Sequence, residues 1–199
     1  MITRKEMTRI LLKEGLLSCL ANNSFETVTV TSLCKASGIT RSTFYLHYSN
    51  IMEIVDDLVD DAIAYSKPGM VDNNNLQTIA NTLSAASNSV SLRGAYDSIF
   101  DRLPLCQRII RHKKYLPLFL DEQISEYVLQ RIIGREKDRQ GLVMAEALGI
   151  SFDVGVSVFV FLVHGLYAIN KEYKWTQSDE WLEAQKVIFE LVYRGLQSK

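Results

Sequence analysis

The sequence predicts an all-α fold, with a small N-terminal three-helix domain, a linking helix and a larger helical C-terminal part. Three observations carry this. Apolar residues recur at helical spacing through most of the chain. Cap and stop residues fall at matched positions, most clearly between Thr29 and Arg41. The 199 residues include only three prolines and ten glycines, too few for a turn-rich all-β chain. Hydrophobic residues make up 47% of the chain, so a buried core is expected rather than disorder.

The first helix is expected over residues 4–22, with Met7, Ile10, Leu11, Leu17, Leu20 and Ala21 as its apolar positions. Asn22-Asn23-Ser24 is a stop and turn signal. Phe25 and Val28 anchor a short connection. Thr29 is a natural N-cap for a helix over 30–37, because its hydroxyl accepts from a backbone N–H of the first turn. Gly38 stands where a helix ends in a left-handed residue. Ile39 plugs the core, and Thr40 caps a helix from Arg41 to about His47. Two short helices joined by a tight glycine turn form a helix-turn-helix, whose second helix suits the DNA major groove.

Asn50 with Glu53 three residues on is a capping-box pattern. The helix from Ile51 to about Ser66 is expected to bury Ile54, Val55, Leu58, Val59 and Ala62. Its other face is acidic, with Asp56, Asp57, Asp60 and Asp61. Pro68-Gly69 ends it, so the expected division is 1–50, a linking helix over 51–67, and 68–199.

Further helices are expected beyond. Leu76, Ile79, Ala80, Leu83 and Val90 mark one. Arg93–Leu103 is another, broken near Pro104, and 105–114 continues to Pro117. Leu118–Gly134 is amphipathic through Leu120, Ile124, Tyr127, Val128, Arg131 and Ile132. The polar run Arg135–Gln140 reads as a loop. Leu142–Asn170 is strongly apolar. Its part Val154–Phe161 is β-branched and alternating, which favours strand. No turn signals bound it and no partner strand is evident, so a helix buried on all sides is expected. Ser178 caps a last helix with a stripe of Trp181, Ala184, Ile188, Leu191 and Gly195, widened by Val187 and Val192.

Net charge is −1 overall. Residues 1–51 carry six basic and three acidic side chains, a net +3, and the remainder carries −4. The positive end thus coincides with the helix-turn-helix, as a DNA footprint requires. Cys19, Cys34 and Cys106 are odd in number and scattered, which points to reduced thiols in a cytosol rather than to disulfides or zinc. No signal peptide is visible. The apolar run Val154–Ile169 is shorter than the ~18–20 residues a membrane span needs and contains Ser157 and His164. A soluble cytoplasmic chain with no membrane partner is expected.

Residues 9–55 resemble the N-terminal domain of TetR-family transcriptional regulators. The resemblance rests on the apolar first helix, on Phe25 before Thr29-Val30, and on Ser37-Gly38-Ile39-Thr40. It continues through Ser42-Thr43-Phe44-Tyr45, His47-Tyr48 and Glu53-Ile54-Val55, about a quarter of the chain. It implies an all-α homodimer of about nine helices per chain. Helices 1–3 would bind DNA, helix 4 would link, helices 5–9 would hold an effector pocket, and the last two would pack across the two-fold axis. The run Phe44–Ile51 looks closest to a branch of Gram-positive members that includes regulators of dihydroxyacetone kinase operons, where a protein can be the inducing partner. One departure is Ile51, which stands where many members have a phosphate-binding Lys. The stretch Gly38–Tyr48 and the start of the preceding helix must then supply more of the backbone grip.

Candidate DNA-binding residues follow from position and chemistry. Arg41 can donate two parallel hydrogen bonds to guanine O6 and N7, or meet a phosphate, or simply be solvated. Ser42 and Thr43 are small enough for close approach, and their hydroxyls can meet phosphate or base or serve in capping. Tyr45, one turn from Arg41, can lay its ring on the sugar-phosphate and bond a phosphate, or be a core tyrosine. His47 is a phosphate donor or a surface-packing residue. Thr29 and Thr31 start a helix whose free N–H groups suit a phosphate, with pure capping as the other reading of Thr29. Such contacts orient a protein on DNA without specifying sequence.

No enzyme is expected. There is no glycine-rich phosphate loop, no His-x-x-x-His or Cys-x-x-Cys pair and no Gly-x-Ser-x-Gly elbow. His47, His112 and His164 are far apart in sequence. No metal or cofactor is implied. His164 is either a satisfied core histidine or a polar group in an effector pocket, with Phe159, Tyr167 and Trp175 lining the pocket or simply filling the core. The expected function is a repressor released from a palindromic operator by a small-molecule or protein effector. The alternative is an activator or co-regulator whose C-terminal part is switched by a partner protein, for which the acidic face Asp56–Asp61 leaves room.

Overall fold

The structure is a computed structural model that describes residues 2–66, 75–103, 107–108 and 113–197. The fold is all-α, and no strand occurs among the described residues. Ten helices are described: α1 Arg4–Leu20, α2 Val30–Ser37, α3 Arg41–Tyr45, α4 Ile51–Ser66, α5 Asn75–Ser84, α6 Ser89–Ser98, α7 Pro117–Leu120, α8 Ser125–Leu148, α9 Phe152–Glu172 and α10 Asp179–Gln197. Short 3₁₀ turns lie at Phe25–Thr27 and Phe100–Arg102. The expected stop at Pro68-Gly69, the break at Pro104, Cys106 and His112 lie outside the described residues.

The chain forms two compact units that do not follow chain order. The first joins Met1–Tyr65 to Ile109–Gly134, and the second joins Ser66–Arg108 to Arg135–Lys199. α8 therefore begins in one unit and ends in the other. In the first unit, α1 packs on α2, and the buried apolar residues are Leu12, Leu16, Leu17 and Leu20 of α1, Leu33 of α2, Phe44 of α3, and Ile54, Val55, Leu58 and Val59 of α4. The expected apolar face of α1 was partly the wrong one. Met7, Ile10 and Leu11 are exposed, and the buried line begins with Thr8 and passes through Gly15. Thr8 can face inward because its hydroxyl donates back to the Arg4 carbonyl at 3.0 Å.

Three carboxylates of the acidic face of α4 are engaged within this unit. Asp57 pairs with Arg9 and Asp61 with Lys13. Asp56 accepts from Tyr127 Oη at 2.6 Å and faces Arg131 at 3.1 Å. Asp121, buried before α8, accepts from the Gln123 and Ile124 amides with one oxygen and from the Phe25 amide at 2.6 Å with the other. One carboxylate thus caps the approach to α8 and holds the turn that leads into α2.

The second unit is built on Ile79, Leu83, Leu92, Tyr96, Ile99, Leu103, Leu166, Trp181, Leu182 and Phe189. A line of buried polar groups runs through it. Tyr96 Oη donates to Gln107 Oε1, and Gln107 Nε2 to Gln185 Oε1, both at 3.2 Å. Trp181 Nε1 donates to Asn170 Oδ1 at 2.9 Å.

Several boundaries differ from expectation. The helix begun at Leu76 stops at Ser84, and Asn88 caps a new one, accepting from the Ser91 amide at 2.9 Å. Val90 is then an exposed residue of α6. The helix expected over Leu118–Gly134 is interrupted at Asp121, and Arg135–Gln140 is helical within α8. The break between α8 and α9 comes at Gly149, with φ +62°, so Leu142–Asn170 is two helices. Ser178 caps α10 as expected, accepting from the Trp181 amide at 3.2 Å. The expected stripe is only partly buried: Trp181 is in the core and Ile188 packs against it, whereas Val187, Leu191 and Gly195 face out, and the inward face is completed by Leu182, Gln185 and Phe189.

The β-branched run Val154–Phe161 is helical, as expected. It does not lie within a helix buried all round. Only 28% of its most apolar 18-residue window, of mean hydropathy 1.9, is buried within this chain, although α9, at 21 residues, is by length and composition long and apolar enough to cross a membrane. Val154, Phe161, Gly165 and Ala168 are exposed, and Val158 is half-buried on the same line.

Candidate nucleic-acid interface

The interface is built by caps before it is built by packing. Thr29 accepts from the Ser32 amide at 3.1 Å, and Ser32 Oγ accepts from the Thr29 amide at 2.9 Å, a reciprocal capping box. α2 ends in a Schellman turn: the Ile39 amide bonds the Cys34 carbonyl at 3.0 Å and the Gly38 amide bonds Lys35 at 3.4 Å. This needs φ +68° at Gly38, a region that costs other L residues free energy. Close approach of α1 to α2 is set at Gly15, where an added Cβ would lie 2.9 Å from the Ser37 Cβ.

Thr40 then caps α3, accepting from the Thr43 amide at 3.2 Å. Its hydroxyl also meets Ser42 Oγ at 3.0 Å and Thr43 Oγ1 at 2.8 Å. Phe44 is fully buried and Tyr48 nearly so, and their ring centroids are 6.3 Å apart. These two side chains fix the helix to the unit. Backbone bonds from His47 and Tyr48 to the Phe44 carbonyl, at 2.9 and 3.0 Å, carry the turn past the end of α3.

The opposite face is exposed: Arg41, Ser42, Tyr45, Leu46 and Ser49 all point outward. Arg41 makes no hydrogen bond or ion pair among the described residues. Its charge pulls against the burial that pushes the Cys34 thiol up. Arg9 and Lys13 are held by carboxylates, so part of the positive excess of the N-terminal stretch is already neutralised. Tyr45 is 53% exposed, with its ring edge on Phe44 at 5.1 Å between centroids, which sets the core reading aside. Thr43 is half-buried, its hydroxyl engaged with Thr40. His47 is half-buried with its Nδ1 enclosed and unpartnered, so an anion can reach only the other ring nitrogen. Thr31 is exposed at the start of α2, while the Thr29 hydroxyl is committed to its cap. Ile51 is half-buried.

Sequence reasoning passed over Leu46, which is 80% exposed on this same face. Its signal was available: the spacing that pairs Arg41 with Tyr45 also pairs Ser42 with Leu46.

At the foot of the face, Tyr48 Oη donates to Asp57 Oδ2 at 2.6 Å, and Arg9 Nε lies 3.1 Å from that oxygen and 3.2 Å from Tyr48 Oη. The Arg9 guanidinium also covers the Tyr48 ring at 5.1 Å from its centroid. Burial pushes the Tyr48 hydroxyl up, and its bond to Asp57 adds to this. Burial acts to raise Asp57 too, but bonds from Tyr48 and Arg9, with the charges of Arg9 and Lys13, hold it below its usual value.

The residues considered for an effector pocket lie in the second unit. Phe159 and Tyr167 are on the buried side of α9, with Tyr167 edge-on to Trp175 at 5.4 Å. His164 is off that line and half-buried. An open concavity of about 620 Å³ in the first unit, lined by Asn22, Asn23, Lys113, Leu120 and Glu122 among others, includes none of them. No group of three or more His, Cys, Asp or Glu side chains among the described residues could hold a metal ion.

No protein-family model matches this chain, and no curated protein or solved structure matches it either.

Proposed function

We propose that this chain is a homodimeric DNA-binding transcriptional regulator of the TetR type, a cytoplasmic repressor released from a palindromic operator by an effector. The observation that carries the reading is the face Arg41–Ser42–Tyr45–Leu46, held outward by buried Phe44 and Tyr48 on a Gly38 turn. α3 enters the major groove. Arg41, with its donors uncommitted, reads a guanine edge, a contact worth about 1–3 kcal/mol of discrimination. Tyr45, His47 and Thr31 hold the phosphate backbone, and Ser42 and Thr43 let it come close.

A palindrome requires two copies of the chain. The exposed apolar lines of α9 and α10, through Phe161 and Leu191, supply a surface for the second copy. A stripe Val154–Val158–Phe161–Gly165–Ala168, spaced four and three, is the seam of paired helices. The effector favours a state of the dimer in which α3 no longer fits, and must bind that state better to shift the balance. Within the first unit, Asp56 of the acidic face is engaged by Tyr127 and Arg131, Asp57 by Arg9 and Asp61 by Lys13, which leaves less of that face for a partner protein.

The test uses DNA selected from a random library by the full chain. The double variant Arg41→Ala with Tyr45→Ala should lose sequence-specific binding and keep the wild-type oligomeric state and melting curve. Unchanged affinity for the selected site would remove the assignment.

A further inference from the structure

Leu46 is one side chain on the α3 face that neither folding nor phosphate binding explains. Among the described large hydrophobic residues only Val90 is more exposed. Leu46 keeps right-handed helical backbone, φ −76° and ψ −16°, and its amide bonds the Thr43 carbonyl at 3.2 Å. Helical spacing therefore places it one turn beyond Ser42, beside Tyr45. Its neighbours on this face, Arg41, Ser42, Tyr45 and Ser49, all end in hydrogen-bonding groups. Leucine has none and is left in water.

An apolar protein partner would want a broad apolar patch, and here a single leucine stands among polar groups. The duplex offers a target of the right size. The one apolar feature on the base edges of the major groove is the thymine C5 methyl. We infer that Leu46 reads one thymine methyl in each half-site, so that this face combines a guanine reader, Arg41, with a thymine reader. The inference rests on α3 being the recognition helix.

The methyl can be removed without touching the protein. In DNA selected by the full chain, uracil replaces each thymine of the half-site in turn. Affinities are measured at fixed salt for the wild type, Leu46→Ala and Leu46→Gln. At one position the wild type should lose about fourfold per half-site, the worth of one buried methyl. Both variants should lose a similar factor on thymine DNA and should not distinguish thymine from uracil there. The salt dependence should be unchanged, because no charge is altered. Leu46 is exposed, so melting curves should match the wild type. Wild-type affinity in Leu46→Ala, or undiminished thymine preference at every position in both variants, overturns the inference while leaving DNA binding standing. Failure of the chain to enrich any sequence overturns both.

Discussion

The Tyr48 hydroxyl and the Asp57 carboxylate meet at 2.6 Å, nine residues apart, across the junction between the turn after α3 and α4. Arg9 of α1 donates to the same oxygen. Two helices, α1 and α4, and the turn that follows α3 are thereby tied at one carboxylate.

This junction gives an acid limb to stability. Asp57 is held below its ordinary value of 3.8 in the fold. Its contribution is complete above the unfolded value and is lost as pH falls through the lower folded one. Asp57→Asn should therefore lower stability at neutral pH and flatten its fall below about pH 4. Tyr48→Phe should cost about 1.5–3 kcal/mol, the worth of a hydrogen bond to a charged acceptor. Denaturant titrations at pH 3 to 7 measure both. Parallel curves for wild type and Asp57→Asn would show that the carboxylate adds nothing.

Two glycines should respond differently to alanine. At Gly38 there is open space around an added Cβ, so Gly38→Ala should cost only the left-handed backbone, about 1 kcal/mol. Gly15→Ala places a methyl against Ser37 and must part α1 from α2, costing about 1–3 kcal/mol. Because Ser37 precedes the turn, Gly15→Ala should also weaken the proposed operator binding more than its stability loss explains. Equal effects of the two on binding would contradict this.

Asp121→Asn separates the two jobs of that side chain. Its remaining oxygen can still accept from Gln123 and Ile124, while its NH₂ group faces the Phe25 amide, donor against donor. Hydrogen exchange at Phe25 should accelerate tenfold or more, with the start of α8 still protected. Unchanged protection at Phe25 would mean that the 2.6 Å bond contributes nothing to holding the turn.

Charge on the exposed apolar lines should dissociate the proposed dimer. Phe161 is 73% exposed and Leu191 66% within one chain. Neither is needed for folding, so Phe161→Glu with Leu191→Glu should leave helicity intact and give monomers in sedimentation. Specific DNA binding should fall at least tenfold as the two half-sites uncouple. A persistent dimer would place the interface elsewhere.

Local features were readable in the sequence and relational ones were not. Thr29, Gly38, Thr40, Asn50 and Ser178 act on backbone groups within four residues, so their roles follow from spacing alone. Asn50 accepts from Glu53 at 3.1 Å, although Glu53 reaches back to Ser49 at 2.8 Å rather than to Asn50. The inward face of α1 was harder to see. It depends on Thr8 and Gly15, which carry no apolar signal, and Met7 and Leu11 carry one that the fold does not use. Arg135–Gln140 read as a loop because it is charged, yet charge does not end a helix; Gly149 does. The ion pairs of Asp56, Asp57 and Asp61 join residues about 50 to 75 positions apart, which periodicity cannot pair. The exposed face of α3 was legible in Arg41, Ser42 and Tyr45, whose side chains carry hydrogen-bonding groups, but not in Leu46 at its C-cap, which carries none.

The division of the first unit between Met1–Tyr65 and Ile109–Gly134 sets a timetable during synthesis. The segment Met1–Tyr65 is made before Asp121, which holds the Phe25 turn, and Arg131, which faces Asp56; these follow Tyr65 by 56 and 66 residues. At about 5–20 residues per second this is a delay of several seconds. A nascent chain therefore displays α3 before the contacts of Asp121 and Arg131 that steady its unit exist.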